Sequence, residues 1–431
     1  MGKKQRINVI TLGCSKNIVD SEVFMRQAEP YYKVEADSDN EADIIVINTC
    51  GFINDAKEES IDTILSAVEA KREGKAKKVF VTGCLSQRYK KELENEIDEV
   101  DGFFGVNELP DILASLNIDY KKELVGERHI STPRHYAYLK ISEGCDRNCS
   151  FCAIPMIRGK HVSRTMDSLV NEARFLASKG VKELILIAQD LTYYGIDIYG
   201  KRKLPELVEK LTSVSGIEWI RLHYAYPAGF PWELVNVISK YDKICNYLDI
   251  PLQHINDRIL KSMKRGLDGT NTRKFVEKIR DSLPGVTFRT TLIAGYPGET
   301  DKEFQELYDF VKESRFDRLG VFTYSPEEGT SAYALKDDVP AKIKQNRLEK
   351  LMELQQNISL ENNIKKTGKV FKVLIDKREN DFFVGRTECD SPEVDQEVLI
   401  HAGKKSIETG QFYNVKITKA DFFDLYGEIE E

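Results

Sequence analysis

Short apolar runs rich in β-branched residues alternate with helical stretches through most of this chain, and that alternation restricts its fold more than any other feature. In the first part the candidate strands are 7–12, 44–48 and 78–82. Helices are expected near 18–27, 55–71 and 87–95, the second with Ile61, Ile64, Leu65 and Val68 at three-and-four spacing. Strand and helix in alternation call for a parallel sheet covered by helices, because each connection must travel back along the strand before the next can pair. A doubly wound α/β unit is therefore expected over residues 1–127.

A second series follows a charged, period-free linker at 126–134: strands at 136–142, 183–188, 219–224, 247–250, 286–294 and 318–324. Right-handed crossovers wind six such units into a complete or partial (β/α) barrel. This unit is expected over 128–365, ending in an amphipathic connector helix that begins near Pro340 and carries Ile343, Leu348, Leu351, Met352 and Leu354. Beyond it the pattern shortens to 370–375, 382–386, 397–400 and 413–418, the signature of a small antiparallel β-barrel over 366–431. A length of 431 residues suits three units of this kind.

Composition removes several classes of function. With 41% hydrophobic and 31% charged residues, the chain can bury cores and is not a disordered polymer. The longest aliphatic stretches, such as 184–188, fall far short of the roughly 20 residues that span a bilayer. The apolar run after the basic N-terminus is broken by Gly13, Ser15, Lys16 and Asn17, unlike a signal peptide. A cytoplasmic location and no membrane partner are expected. A net charge of −7 gives no global field for nucleic acid. Eight cysteines are too few to staple a chain this long, and in a reducing compartment they point to metal or redox use.

Six of those cysteines form two sets. Cys145, Cys149 and Cys152 follow a strand in a three-then-two spacing that suits three thiolates around an iron–sulfur cube, leaving one iron without a protein ligand. A zinc knuckle is the alternative. It requires a fourth Cys or His, and His161, nine residues past Cys152, is the close candidate. Cys14, Cys50 and Cys84 are far apart in sequence, yet each follows the carboxyl end of an apolar run, so parallel strands would bring them to one sheet edge. Each alone would read as a small buried hydrophobe. Cys245 and Cys389 have no such company and are expected to be structural.

The segments Thr11-Leu-Gly-Cys-Ser-Lys-Asn17, Asn48-Thr-Cys-Gly-Phe52, Gly83-Cys84, the Cys145/Cys149/Cys152 motif, Ile154-Pro-Met-Ile-Arg-Gly159 and Ser163-Arg164 together resemble the methylthiotransferase branch of the radical S-adenosylmethionine enzymes, over essentially the whole chain. Within it, Cys-Ser-Lys-Asn and Ile-Pro-x-x-Arg-Gly are similar to the subgroup that modifies an aspartate of small-subunit ribosomal protein S-twelve. The sister subgroup modifies tRNA adenosine. The resemblance implies two [4Fe–4S] clusters, a partial barrel binding S-adenosyl-L-methionine, and a C-terminal barrel of the TRAM type. Cys145, Cys149 and Cys152 would hold the cluster that chelates S-adenosylmethionine and yields a 5′-deoxyadenosyl radical. Cys14, Cys50 and Cys84 would hold an auxiliary cluster presenting the sulfur. A low-potential donor such as flavodoxin or ferredoxin would supply electrons. No catalytic acid or base is assigned.

Barrel enzymes gather their chemistry at the carboxyl ends of strands, which places Gln189, Asp190, Gln253 and Gly295 as cofactor-binding candidates. Many radical enzymes carry Gly-Gly-Glu after the second strand, where this sequence has Ala188-Gln189-Asp190. His223 and His254 read as hydrogen-bonded wall residues. A two-cluster electron-transfer protein is the rival from another class, although such carriers normally complete each cluster with four cysteines. From Thr367 onward nine basic residues stand against fourteen acidic ones, which disfavours RNA as a partner. That count predicts an acidic docking surface at Asp390, Glu393, Asp395 and Glu397 for a basic ribosomal protein, with any basic patch confined to Lys404 and Lys405.

Overall fold

The computed structural model describes all residues except 1–3, 39, 125, 404, 405 and 431, and the side chain of 123. The basic pair Lys404 and Lys405 thus lies outside the described residues. The first part comprises β1 (Arg6–Thr11), α1 (Ser15–Ala28), β2 (Lys33–Ala36), β3 (Ile44–Thr49), α2 (Asn54–Arg72), β4 (Lys78–Gly83), α3 (Cys84–Glu96), β5 (Gly102–Phe103) and α4 (Leu109–Ser115). The sheet runs β2-β1-β3-β4-β5 with every pair parallel. Its order reverses between β1 and β3, and in such sheets the crevice beyond the carboxyl ends at the reversal is where ligands bind. One face packs Phe24, Met25, Ile112 and Leu113 against the sheet, the other Ile64, Val68, Leu85 and Leu93. The α2 stripe differs from the sequence expectation. Ile64 and Val68 are buried together with Ser60 and Ala67, while Ile61 and Leu65 face outward.

The second part contains β6 (Tyr136–Lys140), β7 (Ser142–Glu143), α5 (Ile154–Arg158), β8 (Val162–Ser163), α6 (Met166–Ser178), β9 (Glu183–Ile187), α7 (Ile196–Tyr199), α8 (Leu204–Thr212), β10 (Trp219–Leu222), α9 (Glu233–Lys240), β11 (Ile244–Asp249), α10 (Asp257–Ser262), α11 (Gly269–Ser282), β12 (Thr287–Ala294), α12 (Asp301–Ser314) and β13 (Arg318–Thr323). Strands β6-β9-β10-β11-β12-β13 form a six-stranded parallel sheet, an incomplete barrel. Leu184 and Leu186 face the covering helices, whereas Ile185 and Ile187 face inward, as strand alternation requires. Those inward residues, with Tyr136 and Tyr138, pack against Ile18, Val19 and Val23 of α1. The first sheet's own helix therefore fills part of the barrel's open side. The segment at 126–134 is also pinned. Arg128 is buried and ion-paired to Glu22 of α1 and Glu172 of α6.

After α13 (Ala341–Ile364), strands β14 (Val370–Glu379), β15 (Phe382–Thr387), β16 (Val398–His401), β17 (Phe412–Ala420) and β18 (Leu425–Ile429) close into a barrel in the order β14-β15-β16-β18-β17. Two of the four carboxylates expected on an acidic docking surface, Asp390 and Asp395, are turned inside, while Glu393 stays exposed and Glu397 partly so. Asp390 is buried in an ion pair with Arg318 of β13 and accepts from Thr387 Oγ1 at 2.6 Å. Asp395 accepts from the Tyr247 hydroxyl at 2.7 Å, and Glu393 from the Tyr136 hydroxyl at 3.2 Å. These contacts tie the small barrel to β6, β11 and β13 of the large one. A charge neutralised inside an interface casts little field into solvent. No helix among the described residues is long and apolar enough to cross a membrane.

Candidate active site

Cys14, Cys50 and Cys84 stand directly after β1, β3 and β4, three adjacent strands, so parallel topology brings them to one edge. The turn between β1 and α1 is forced close to Cys50. Gly13 adopts φ +88°, and a Cβ on it would lie 2.7 Å from Cys50 Cβ and 2.9 Å from its Sγ. Cys84 Sγ is 3.8 Å from Asn17 Oδ1 and 3.6 Å from Arg158 Nη2. Burial raises the Cys50 thiol and pushes Cys84 up to about 12; the neighbouring thiols of the triad act in the same direction and Arg158 opposes them. Ligating a metal here must displace thiol protons, with Arg158 offsetting the resulting negative charge.

Cys145, Cys149 and Cys152 occupy the loop between β7 and α5. Gly144, at φ +75°, lets that loop pass against Lys160, whose carbonyl oxygen would be 2.0 Å from an added Cβ. Each sulfur is met by a donor. The Arg147 backbone N–H donates to Cys145 Sγ at 3.4 Å, Arg265 Nη1 donates to Cys149 Sγ at 3.2 Å, and the Ile154 backbone N–H serves Cys152. Burial pushes Cys145 up to about 11 and Cys152 to about 12 against these donors. Donors aimed at sulfur fit thiolates holding a cluster. Among the described residues no three His, Cys, Asp or Glu side chains are drawn together as around a single ion, whereas a cube spreads its thiolates over separate irons. His161 is engaged elsewhere, with Nε2 2.9 Å from Ser163 Oγ.

Gln189 and Asp190 reach this loop from the end of β9. Gln189 Nε2 donates to Glu143 at 2.8 Å, while its Oε1 is buried without a partner. Asp190 accepts from Arg147 Nε at 2.8 Å and holds that guanidinium 4.0 Å from the Tyr226 ring centre. Gln253 sits at φ +73° with its Oε1 likewise buried and unpartnered. Orphaned amide oxygens in such a place suit the amine and hydroxyl donors of S-adenosylmethionine, because a buried acceptor left empty is costly. Gly295 is placed differently. Its Cα abuts the Lys344 stem of α13, and its N–H donates to Glu299 at 3.1 Å. His254 also binds Glu299, at 3.2 Å, and His223 Nε2 is 2.9 Å from Ser391 Oγ, so both are partnered wall residues. Cys245 packs in a core with Trp219 and Tyr247.

Sequence reasoning missed the residue that links the two sets. Arg158, at the end of α5, binds Asn17 Oδ1 at 2.5 Å, Asp20 at 2.8 Å and Glu143 at 3.1 Å besides approaching Cys84. Lys140 joins the same network through Asp20 and, at 2.6 Å, through Glu143. Burial alone would raise the Glu143 carboxyl; Lys140 and Arg158 outweigh it and hold the group at about 2. The Ile-Pro-x-x-Arg-Gly run contained Arg158, but nothing in one dimension indicated its reach. Arg265 had no sequence signal.

Residues 139–311 match the radical SAM superfamily, 6–105 match Uncharacterized protein family UPF0004, and 367–429 match the TRAM domain. The chain is 58% identical over 426 residues to the ribosomal protein uS12 methylthiotransferase RimO of Christiangramia forsetii, covering 99% of this chain and 94% of that one. It is 58% identical to the protein of the same name from Flavobacterium johnsoniae, covering 99% and 98%. Among solved structures, the radical S-adenosylmethionine methyltransferase TsrM of Kitasatospora setae superposes with a TM-score of 0.54 over 74% of this chain and 72% of that one; at 14% identity this likeness concerns the fold alone. With near-identical length and more than half of all positions shared with those relatives, the chain belongs to the RimO methylthiotransferase family of radical S-adenosylmethionine enzymes.

Proposed function

We propose that the protein transfers a methylthio group to the β-carbon of an aspartate in ribosomal protein uS12, using S-adenosylmethionine and two [4Fe–4S] clusters. The observation that carries this reading is the pairing of two three-cysteine sets through Arg158, together with relatives whose name states that substrate. Three thiolates per cube leave one iron of each available for chemistry, which a simple electron carrier does not need. Cys145, Cys149 and Cys152 hold the cluster that binds S-adenosylmethionine; Cys14, Cys50 and Cys84 hold the auxiliary one. Bound S-adenosylmethionine supplies, on reduction, the hydrogen abstraction that an unactivated carbon requires and no acid–base side chain provides. The chain's own residues bind and orient. Gln189 and Gln253 offer their free amide oxygens to the cofactor, Asp190 fixes Arg147 beside the cluster loop, and the packing of α1 against the inner face of β6 and β9 fixes the auxiliary set relative to the barrel.

A low-potential flavodoxin- or ferredoxin-type protein is the proposed donor, and residues 1–127, 128–365 and 366–431 are the proposed working units. The test is anaerobic incubation of the reconstituted protein with S-adenosylmethionine, dithionite and purified uS12, beside a tRNA control. A gain of one methylthio group on the uS12 aspartate is expected. Modification of tRNA adenosine, with none on uS12, overturns the substrate while leaving the radical chemistry standing.

A further inference from the structure

Beside the auxiliary cysteine set a little-exposed cation has no carboxylate partner among the described residues, and unlike Arg265, which is held by Cys149 Sγ and the Pro251 carbonyl, it has no polar partner either. Lys16, on the first turn of α1 and two residues past Cys14, is only 8% exposed. Arg147, Arg158, Lys140, Arg221 and Arg289, which line the same region, each carry a carboxylate partner. Lys16 has neither a carboxylate nor a hydrogen-bond acceptor among the described residues. Its ammonium instead lies 3.3 Å from the centre of the Tyr224 ring. A cation–π contact offsets part of the desolvation of a buried ammonium, but a carboxylate satisfies it far better.

A second, independent observation lies under that ammonium. Tyr224 adopts φ +62°, the left-handed region that a bulky aromatic residue occupies only when its surroundings impose it. Strain of this kind gathers at functional sites. The conformation is imposed by Asp249, which accepts from the Tyr224 N–H at 3.3 Å, and by Leu191, whose N–H donates to the Tyr224 carbonyl at 3.1 Å. It presents the ring beneath Lys16 at the carboxyl end of the strand that precedes it. Arg221 and Arg289 near His223 are each already paired, with Glu183 and with Asp249 and Asp395, which leaves the Lys16 ammonium as the cation free to meet an incoming anion here.

We propose that Lys16 is a specificity-determining residue whose ammonium receives the side-chain carboxylate of the substrate aspartate, with Tyr224 as the platform that holds it in place. This deepens the reading of a uS12 aspartate as substrate and rests on it. The substrate carboxylate is bonded directly to the β-carbon that must receive sulfur, so a cation two residues from Cys14 sets that carbon on the auxiliary side of the gap. An adenosine base carries no charge and gains nothing from an unpaired ammonium. The methionine carboxylate of S-adenosylmethionine is the competing anion, and it belongs to the other cysteine set.

The test uses reconstituted holoprotein as wild type, Lys16→Met and Lys16→Arg, with purified uS12 carrying either its target aspartate or asparagine there. Dissociation constants are read by fluorescence anisotropy, and S-adenosylmethionine affinity and melting temperature are measured beside them. Wild type is expected to prefer the aspartate form by roughly ten- to hundredfold, the range of a charge-assisted hydrogen bond. Lys16→Met loses that preference, Lys16→Arg keeps most of it, and Lys16→Met melts no lower than wild type because the charge it removes is unpaired in the free protein. Equal preference in wild type and Lys16→Met overturns the proposal, as does an equal loss of both uS12 forms accompanied by lost S-adenosylmethionine binding. Failure of wild type to bind either uS12 form overturns the substrate reading itself, and this assignment with it.

Discussion

Arg158 Nη2 lies 3.6 Å from Cys84 Sγ, so a residue six positions past Cys152 reaches the other cysteine set across 74 residues of sequence. The short helix α5 makes this possible. It leaves the Cys152 loop, buries Ile157 against Cys84 and Ala153, and turns its last side chain toward α1. The two sets are therefore held at a fixed separation by packing and by one guanidinium.

Arg158→Ala should be costly. It leaves Asp20 without one of its two cations and Glu143 partly unpaired in a buried setting, and breaking such pairs costs about 3–5 kcal/mol. Chemical denaturation of the apoprotein checks the figure. Arg158→Lys should recover only part of it, because a point charge cannot serve Asn17, Asp20 and Glu143 with one planar fork. Full stability in Arg158→Ala would show that the network is incidental.

Anaerobic reconstitution should load about eight irons and eight sulfides per chain, two cubes in all. Replacing Cys145, Cys149 and Cys152 by Ala should remove about half the iron and abolish reductive cleavage of S-adenosylmethionine. Replacing Cys14, Cys50 and Cys84 should also remove half, yet leave cleavage and abolish only methylthio transfer. Iron analysis beside 5′-deoxyadenosine quantitation separates the two. A triple variant that kept its full iron would contradict its ligand assignment.

Gly13→Ala tests the geometry of the auxiliary set alone. The new methyl would strike Cys50 at 2.7 Å on a backbone already at φ +88°, a strain on the order of 1–3 kcal/mol. Iron bound by the Cys14 set should become labile to chelator while the other cluster stays. Equal chelation rates for wild type and variant would show that the turn yields without moving Cys50.

The junction of the two barrels should be acid-sensitive. Arg386 bridges Glu183 of β9 at 2.8 Å and Asp376 of β14 at 2.6 Å. Burial alone would raise both carboxyls, but Arg386, joined by Arg221 at Glu183, outweighs it and holds them below their ordinary values. The folded state then binds fewer protons than the unfolded one, so this contribution is complete above the unfolded pKa values and is lost as pH falls through the lowered ones, below about 4. Arg386→Met strands both carboxylates and raises their folded pKa values, so its melting temperature should fall furthest below wild type near neutral pH, and the deficit should narrow as acid protonates them. Calorimetry across pH 3–7 reads the shift. Asp390→Asn should destabilise similarly at low and high salt, as a buried tie to Arg318 does and an exposed docking charge does not.

Much of this architecture was written in local pattern. Period-two and period-3.6 hydrophobicity marked β1, β3, β4 and the six strands of the large barrel, because those segments bury apolar faces that any neighbour must cover. Strands β2 and β5 escaped because they are short edge strands of their sheet, where pairing rather than burial decides, and β18 because only Leu425 and Gly427 of it are buried. The cysteine positions were legible for a geometric reason: parallel strands put their carboxyl ends together, so residues after them must converge.

The sequence by itself determined which residues could ligate iron and which family motifs they stand in. Only the tertiary structure decided what lies between them. Whether Asp390 and Asp395 face solvent or an arginine, whether Arg158 reaches Cys84, and whether Lys16 finds an anion all depend on side chains far apart along the chain. Charge interactions are set by distance and burial in space, and a one-dimensional count of charges carries neither.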